Sequence, residues 1–322
     1  MNNATAMPVL RVKRFVPEFW LVVLGAALWG VDPLFRALLL ESFTSTQIVL
    51  IEHLILLVFA VPVLVKRRQE LKSVKLAHIG ALLFISWGGS AIATILFTKG
   101  IAYGLASDDL NAVLLLQKLQ PIIAILLARW LLKEKLPRMF GPLLLLALAG
   151  TYLLTFGWTI PVGGIGDFIQ AGSMLSVGAA VLWGGSTVMG RYMLGKMSYE
   201  TVTSLRFALA LPLLLVFTVS EGHSWSFPTE ASDQALVVLN MALQALLPGL
   251  LSLLLYYKGL SVVKASYATL AELSFPMVAV LINWLAFQQM ITFAQLAGFV
   301  FIWFALFAIS WQQNDNKPIG PA

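Results

Sequence analysis

The chain repeats itself once, and each copy holds an odd number of apolar spans. Leu28-Trp29-Gly30 returns as Leu182-Trp183-Gly184, 154 residues later. Gln117, Pro121 and Glu134 return as Glu272, Pro276 and Gln289, each 155 residues later. A repeat of this length is read before any local pattern. Five crossings per copy turn the second copy upside down in the bilayer. Inverted repeats of this kind give many secondary transporters two interconvertible faces around a shared site.

Composition enters because it decides that these spans cross a membrane. The chain is 59% hydrophobic and 11% charged; a soluble domain would carry roughly twice that charge. A helix needs about 20 apolar residues to span the hydrocarbon. The sequence predicts ten such helices over 19–40, 46–65, 76–98, 110–131 and 140–158, then 168–194, 199–220, 235–257, 263–287 and 293–311. Two five-helix repeats, 1–160 and 161–322, follow from the duplication. No small-residue cleavage site follows the first span, which reads as a retained helix and not a signal peptide. The chain has no cysteine, which removes disulfides, Fe–S clusters and thiolate metal sites.

Charge gives an orientation. Arg11, Lys13, Arg14, Lys66, Arg67, Arg68, Lys72, Lys75, Lys133, Lys135, Arg138, Arg191, Lys196, Lys258, Lys264 and Lys317 all fall on the face that holds the N-terminus. Glu41, Asp108, Asp109, Asp167, Glu221, Glu230 and Asp233 fall on the other, with Lys99 at its border. Basic loops stay cytoplasmic, so both termini are expected inside. The net charge of +6 belongs to these loops and does not indicate a nucleic-acid partner.

Prolines interrupt the spans at matching places. Each removes the helical bond to the carbonyl four residues earlier: Pro33 releases that of Trp29, Pro121 that of Gln117, Pro248 that of Gln244, and Pro276 that of Glu272. Pro121 and Pro276 are repeat mates. Aligning Lys99-Gly100 with Lys258-Gly259 also sets Gly89 opposite Pro248. Paired weak points are the best sequence pointer to a transport site; prolines are also simply more common in membrane helices. Gly172, Ser176, Ala180 and Gly184 form a small-residue stripe, as do Ala26 and Gly30, which permits close helix packing. Trp29 and Trp183 beside these stripes read either as core filler or as flat walls for a substrate.

Asp32, Arg36, Glu52, His53, Lys118, Arg206 and Glu272 lie at membrane depth, where each charge costs at least ~2.5–3.5 kcal/mol. Asp32 and Arg36 are four apart and read as a local structural pair. Glu52 and Arg206 are repeat mates placed on opposite sides, so no direct pair is expected. Glu52 and His53 are the proton-coupling candidates. They point about 100° apart on a helix and are not expected to face one spot; a helix–helix hydrogen bond is the plainer reading of His53. Lys118 and Glu272 suit the two ends of a zwitterion, or else neutralise each other. Gly190 to Lys196 imitates a phosphate loop but lacks its Ser or Thr and its strand. No nucleophile elbow or metal-protease motif is present, so no metal or cofactor is expected, and an intramembrane enzyme acting on lipid-linked substrates is unsupported.

The duplicated five-span halves, Trp-Gly in the first span, Pro121 and Pro276 in the fourth, and Glu134 after it resemble the EamA branch of the drug/metabolite transporter superfamily. Gln289 stands where the second copy would carry the usual Glu. The resemblance implies a central cavity between the first, third and fourth helices of each repeat. It implies export of small metabolites, aromatic or neutral amino acids first, from the inner membrane. The expected chain is an all-α membrane protein of ten transmembrane helices, a monomer or homodimer whose partners are the bilayer and a small molecule. Asn111, Gln117, Lys118, Gln244, Tyr267 and Glu272 are expected to bind polar groups, and Trp29, Trp87 and Trp183 to line apolar walls. A passive pore is the other alternative.

Overall fold

The computed structural model describes residues 17–72, 74–107, 110–159, 170–287 and 290–314. The basic residues Arg11, Lys13, Arg14 and Lys317, the acidic Asp108, Asp109 and Asp167, Gln289, and the side chain of Asn111 lie outside the described residues. Ten helical rods run through the rest: α1 (Pro17–Leu39), α2 (Ser45–Lys66), α3 (Leu76–Ala106), α4 (110–131), α5 (Phe140–Phe156), α6 (Ala171–Leu194), α7 (Tyr199–Glu221), α8 (Ala231–Leu260), α9 (265–287) and α10 (Phe293–Asn314). Nine of the described rods are long and apolar enough to cross a bilayer, and α5 is shorter.

Local chemistry sets the ends. Thr44 and Gln47 form a reciprocal capping box at the start of α2, which satisfies two otherwise orphaned groups. The Ser198 hydroxyl accepts from Thr201 N–H at the start of α7. Gly157 and Gly222 end α5 and α7 at φ +65 and +62, where a side chain would be strained. One predicted boundary is corrected: α3 does not stop at 98 but continues to Ala106. Lys99 does not end the helix, because its ammonium reaches Glu221 at 3.0 Å.

The expected broken helices are present, in matched pairs. A π turn interrupts α3 at Phe84–Ile92 and its mate α8 at Ala245–Leu251. A 3-10 turn interrupts α4 at Gln117–Leu119 and its mate α9 at Glu272–Ser274. A third 3-10 turn lies in α1 at Trp29–Val31, whereas α6, which has no proline, runs through Ala171–Leu194 as one α-helix. Three of the four carbonyls that proline frees are not left free, which corrects that expectation. In each 3-10 turn the residue before the proline donates three residues back: Asp32 N–H to Trp29 O, Gln120 N–H to Gln117 O, Phe275 N–H to Glu272 O. Tightening to i→i+3 bonds is the cheapest repair at a helix break.

Helices pair across the repeats: α1 with α8, α3 with α6, α2 with α7, α4 with α9 and α5 with α10. The small-residue stripes make close approaches of α3 on α6 and of α1 on α8, and also bring α6 onto α4 and α1 onto α9. A Cβ on Gly172 would meet Gly100 O at 3.0 Å, and one on Gly184 would meet Gln120 O at 3.1 Å. Repeat mates do the same work: a Cβ on Gly259 would run into Glu18 O, and one on Gly30 would meet Phe275 O at 2.7 Å. Close packing is therefore what the stripes achieve. On the N-terminal face, Arg67 bridges Glu70 at 3.0 Å and Glu200 at 2.9 Å, while Ser198 N–H and Oγ donate to Glu70. Burial pushes the Glu70 carboxyl up, but these bonds outweigh it and hold it below the usual carboxylate range.

Candidate functional site: a charged cavity between the repeats

The helix breaks surround a cavity of about 130 Å³, several times the ~30 Å³ that one water occupies in the liquid. The first, third and fourth helices of both repeats line it, as the resemblance implied. The second helices line it too: α2 supplies Glu52 and His53, and α7 supplies Arg206 and Phe207.

Two tryptophans tie the cavity wall together. Trp29 Nε1 donates to Pro248 O at 3.1 Å, and Trp183 Nε1 donates to Gly89 O at 2.8 Å. Trp29 and Trp183 are repeat mates, and so are Pro248 and Gly89. Each indole thus bonds the π turn of the other repeat. A π turn misaligns local carbonyls, and an indole N–H is a donor that can satisfy one without adding charge. The bond also fixes each ring plane. Trp29 packs on Tyr256 at 5.0 Å between centroids, and Trp183 meets Phe97 edge-on at 5.2 Å.

Charges gather in two groups. Arg36 bridges Asp32 at 2.7 Å and Glu52 at 3.0 Å and donates to Thr98 Oγ1 at 3.2 Å. Asp32 and Arg36 do pair across one helical turn, and Glu52 on α2 joins them. Gln244 Nε2 holds the other side of Asp32, donating to Oδ1 at 2.5 Å. In the second group Glu272 accepts from Gln120 Nε2 at 2.5 Å, from Thr187 Oγ1 at 3.5 Å and from the Tyr256 hydroxyl. Lys118 Nζ donates to Gln117 Oε1 at 2.6 Å and sits 3.1 Å over the Phe275 ring. No carboxylate lies within 4 Å of Lys118 among the described residues, so Lys118 and Glu272 do not neutralise each other by contact. Asp32, Glu52 and Glu272 balance Arg36, Lys118 and Arg206 in formal charge around the cavity.

Of the predicted site residues, the structure brings Trp29, Gln117, Lys118, Trp183, Glu272, Glu52 and His53 to the cavity. Glu52 and His53 both line it, against expectation, because the wall is broad enough to span their angular separation on α2. His53 Nδ1 donates to Val49 O at 2.8 Å, so its bond stays within its own helix and does not cross to another. Three predicted residues lie elsewhere. Gln244 is fully buried behind Asp32. Trp87 is 40% exposed on the outer side, with Nε1 on Leu209 O at 2.9 Å. Tyr267 is buried against the Phe140 ring at 5.7 Å. Five further residues line the cavity: Asp32 and Arg36, which the sequence presents as a structural pair, Arg206, which it presents as the repeat mate of Glu52, and Tyr256 and Tyr257, which carry no comparable sequence signal.

Two five-helix repeats around a buried, charged, aromatic-walled cavity define a multi-pass membrane transporter architecture. The chain belongs to the EamA-like transporter family, whose profile matches residues 17–156 and again 170–311. It is 32% identical over 293 residues to a riboflavin transporter, ImpX, of Fusobacterium nucleatum subsp. nucleatum, covering 90% of this chain and 96% of that protein. A solved crystal structure shares the fold with a TM-score of 0.70 at 15% identity, over 93% of this chain and 99% of its own.

Proposed function

We propose that this chain is a secondary transporter that carries a small, flat, heteroaromatic metabolite across the cytoplasmic membrane by alternating access, with riboflavin as the first cargo to test. The observation that carries this reading is the pair of cavity-lining indoles, each locked in plane by a bond to the opposite repeat. Preset aromatic faces favour a planar ligand, because stacking on a fixed ring costs little further ordering. The polar groups beside them serve a hydroxylated or carbonyl-bearing edge. The relationship to a riboflavin transporter supports the same class. Export of amino acids, the cargo expected from sequence, is the second reading: the balanced charges around the cavity, with Lys118 and Glu272 apart, also suit a zwitterion.

Purified protein in liposomes is expected to show saturable riboflavin flux, with accelerated counterflow when unlabelled riboflavin is on the far side. Counterflow separates a carrier from a pore. Flux equal to that of empty liposomes would remove riboflavin, and amino-acid flux in the parallel arm would restore the second reading. Loading from either side reads the direction of net transport.

The basic loops support termini on the cytoplasmic side. Because the natural chain lacks cysteine, single cysteines report topology without background. In intact cells an impermeant thiol reagent is expected to label a cysteine at Glu230 and spare one at Lys72. Labelling in the reverse pattern would invert the orientation.

A further inference from the structure

We propose that Arg206 is a cargo-contacting specificity residue that receives a planar pair of adjacent acceptor atoms. This rests on the carrier reading above and names a residue that recognises the cargo within that same site.

Three cations line the cavity, and their environments differ. Arg36 is spent on Asp32, Glu52 and Thr98. Lys118 is held by one amide oxygen and an aromatic face. Arg206 is held by neutral acceptors alone: Nε donates to Ser90 Oγ at 2.5 Å, Nη1 to the Tyr257 hydroxyl at 2.8 Å and Nη2 to Gly89 O at 3.2 Å. No carboxylate lies within 4 Å of it among the described residues, and the residue is only 8% exposed. A guanidinium has five N–H donors, so two are left uncommitted by these bonds.

An unneutralised cation at this depth is costly. Here its three bonds come from both repeats, Gly89 and Ser90 on α3 and Tyr257 on α8, and they fix the orientation of the plane. A group that is charged, fixed and incompletely bonded beside a cavity is preorganised for an incoming acceptor. The fork geometry of arginine selects two adjacent acceptors in one plane. The carboxylate of an amino acid offers two oxygens on one carbon, and a flavin ring offers its O4 beside the ring nitrogen N5; both are planar acceptor pairs.

The test measures binding to the full-length protein in detergent, by flavin fluorescence quenching and calorimetry. Two ligand series are compared: riboflavin with its 2-thio and 4-thio analogues, and phenylalanine with phenylalaninamide. Sulfur for oxygen, or amide for carboxylate, weakens the acceptor while keeping the shape. Wild-type protein is expected to lose at least about tenfold in affinity within one series, the size of a charge-assisted bond. In Arg206→Lys, which keeps charge but loses the fork, that penalty is expected to shrink to about threefold or less. Tyr257→Phe, which releases one of the three holders, is expected to reduce it by a smaller factor. A general loss of stability would lower affinity for all ligands alike and leave the ratio unchanged. Riboflavin binding with the thio penalty undiminished in Arg206→Lys overturns the Arg206 assignment and leaves the flavin reading standing. A penalty confined to the phenylalanine series overturns the flavin reading and keeps Arg206.

Discussion

Arg36→Met is expected to destabilise the protein by about 3–5 kcal/mol, the largest single-residue effect the cavity offers. Arg36 is 3% exposed and is bonded to two carboxylates and a hydroxyl. Its removal leaves Asp32 and Glu52 facing each other at membrane depth with no cation between them. The penalty of the single change is the penalty of two uncompensated buried charges, not the worth of the ion pairs. It follows that the triple change Arg36→Met, Asp32→Asn, Glu52→Gln recovers most of the stability, because removing all the charges together also removes the cost of desolvating them. Thermal unfolding of the detergent-solubilised protein, followed by size-exclusion fluorescence, checks both. A triple variant as unstable as Arg36→Met would show that lost packing, not stranded charge, sets the effect.

The fold was legible because its signals are local or periodic. Span lengths, the offsets near 154 and the paired prolines each depend on residues a few positions apart, and the helix breaks at 117–119 and 272–274 fall where Pro121 and Pro276 place them. The fate of the freed carbonyls was not legible, because a 3-10 turn can recapture a carbonyl that an α-helix would lose. Which face of each helix meets the cavity was harder still. In a soluble helix the polar stripe marks the outside, but a lipid-facing surface is as apolar as a core, so Trp87 and Trp183 look alike in sequence while one faces outward and the other lines the cavity. Tyr267 and Gln244 fail for the same reason: both are buried polar residues, and only their neighbours decide that one packs on Phe140 and the other steadies Asp32. Glu52 and Arg206 both line the cavity yet make no ion pair with each other among the described residues, as their positions along the chain predict.

Replacing Trp29 or Trp183 by Phe is expected to destabilise the protein by about 1–3 kcal/mol without changing which face is open. Under the proposed cycle, an inverted-repeat carrier reaches its second state when its two halves exchange conformations. Exchange maps the Trp29–Pro248 bond onto the Trp183–Gly89 bond and the reverse. Both bonds are present together in one state, so exchange returns both bonds in the other. A contact kept in both states stabilises both equally and shifts no population. The bonds are then pivots that hold α1 on α8 and α6 on α3 while other contacts open and close. The two variants should differ in size: Gly89 O also accepts from Arg206 Nη2 at 3.2 Å, so Trp183→Phe leaves it one side-chain donor and costs less than Trp29→Phe. Phe keeps an apolar ring in the wall, which isolates the N–H. In the cysteine-free background, the alkylation rates of single cysteines at the cavity-lining Thr94 and Ser186, measured from each side, are expected to keep their ratio within about twofold, while the melting temperature falls in both variants. A ratio shifted by about tenfold, equal to 1.36 kcal/mol of unequal stabilisation, would make these bonds latches of one state and break the symmetry argument.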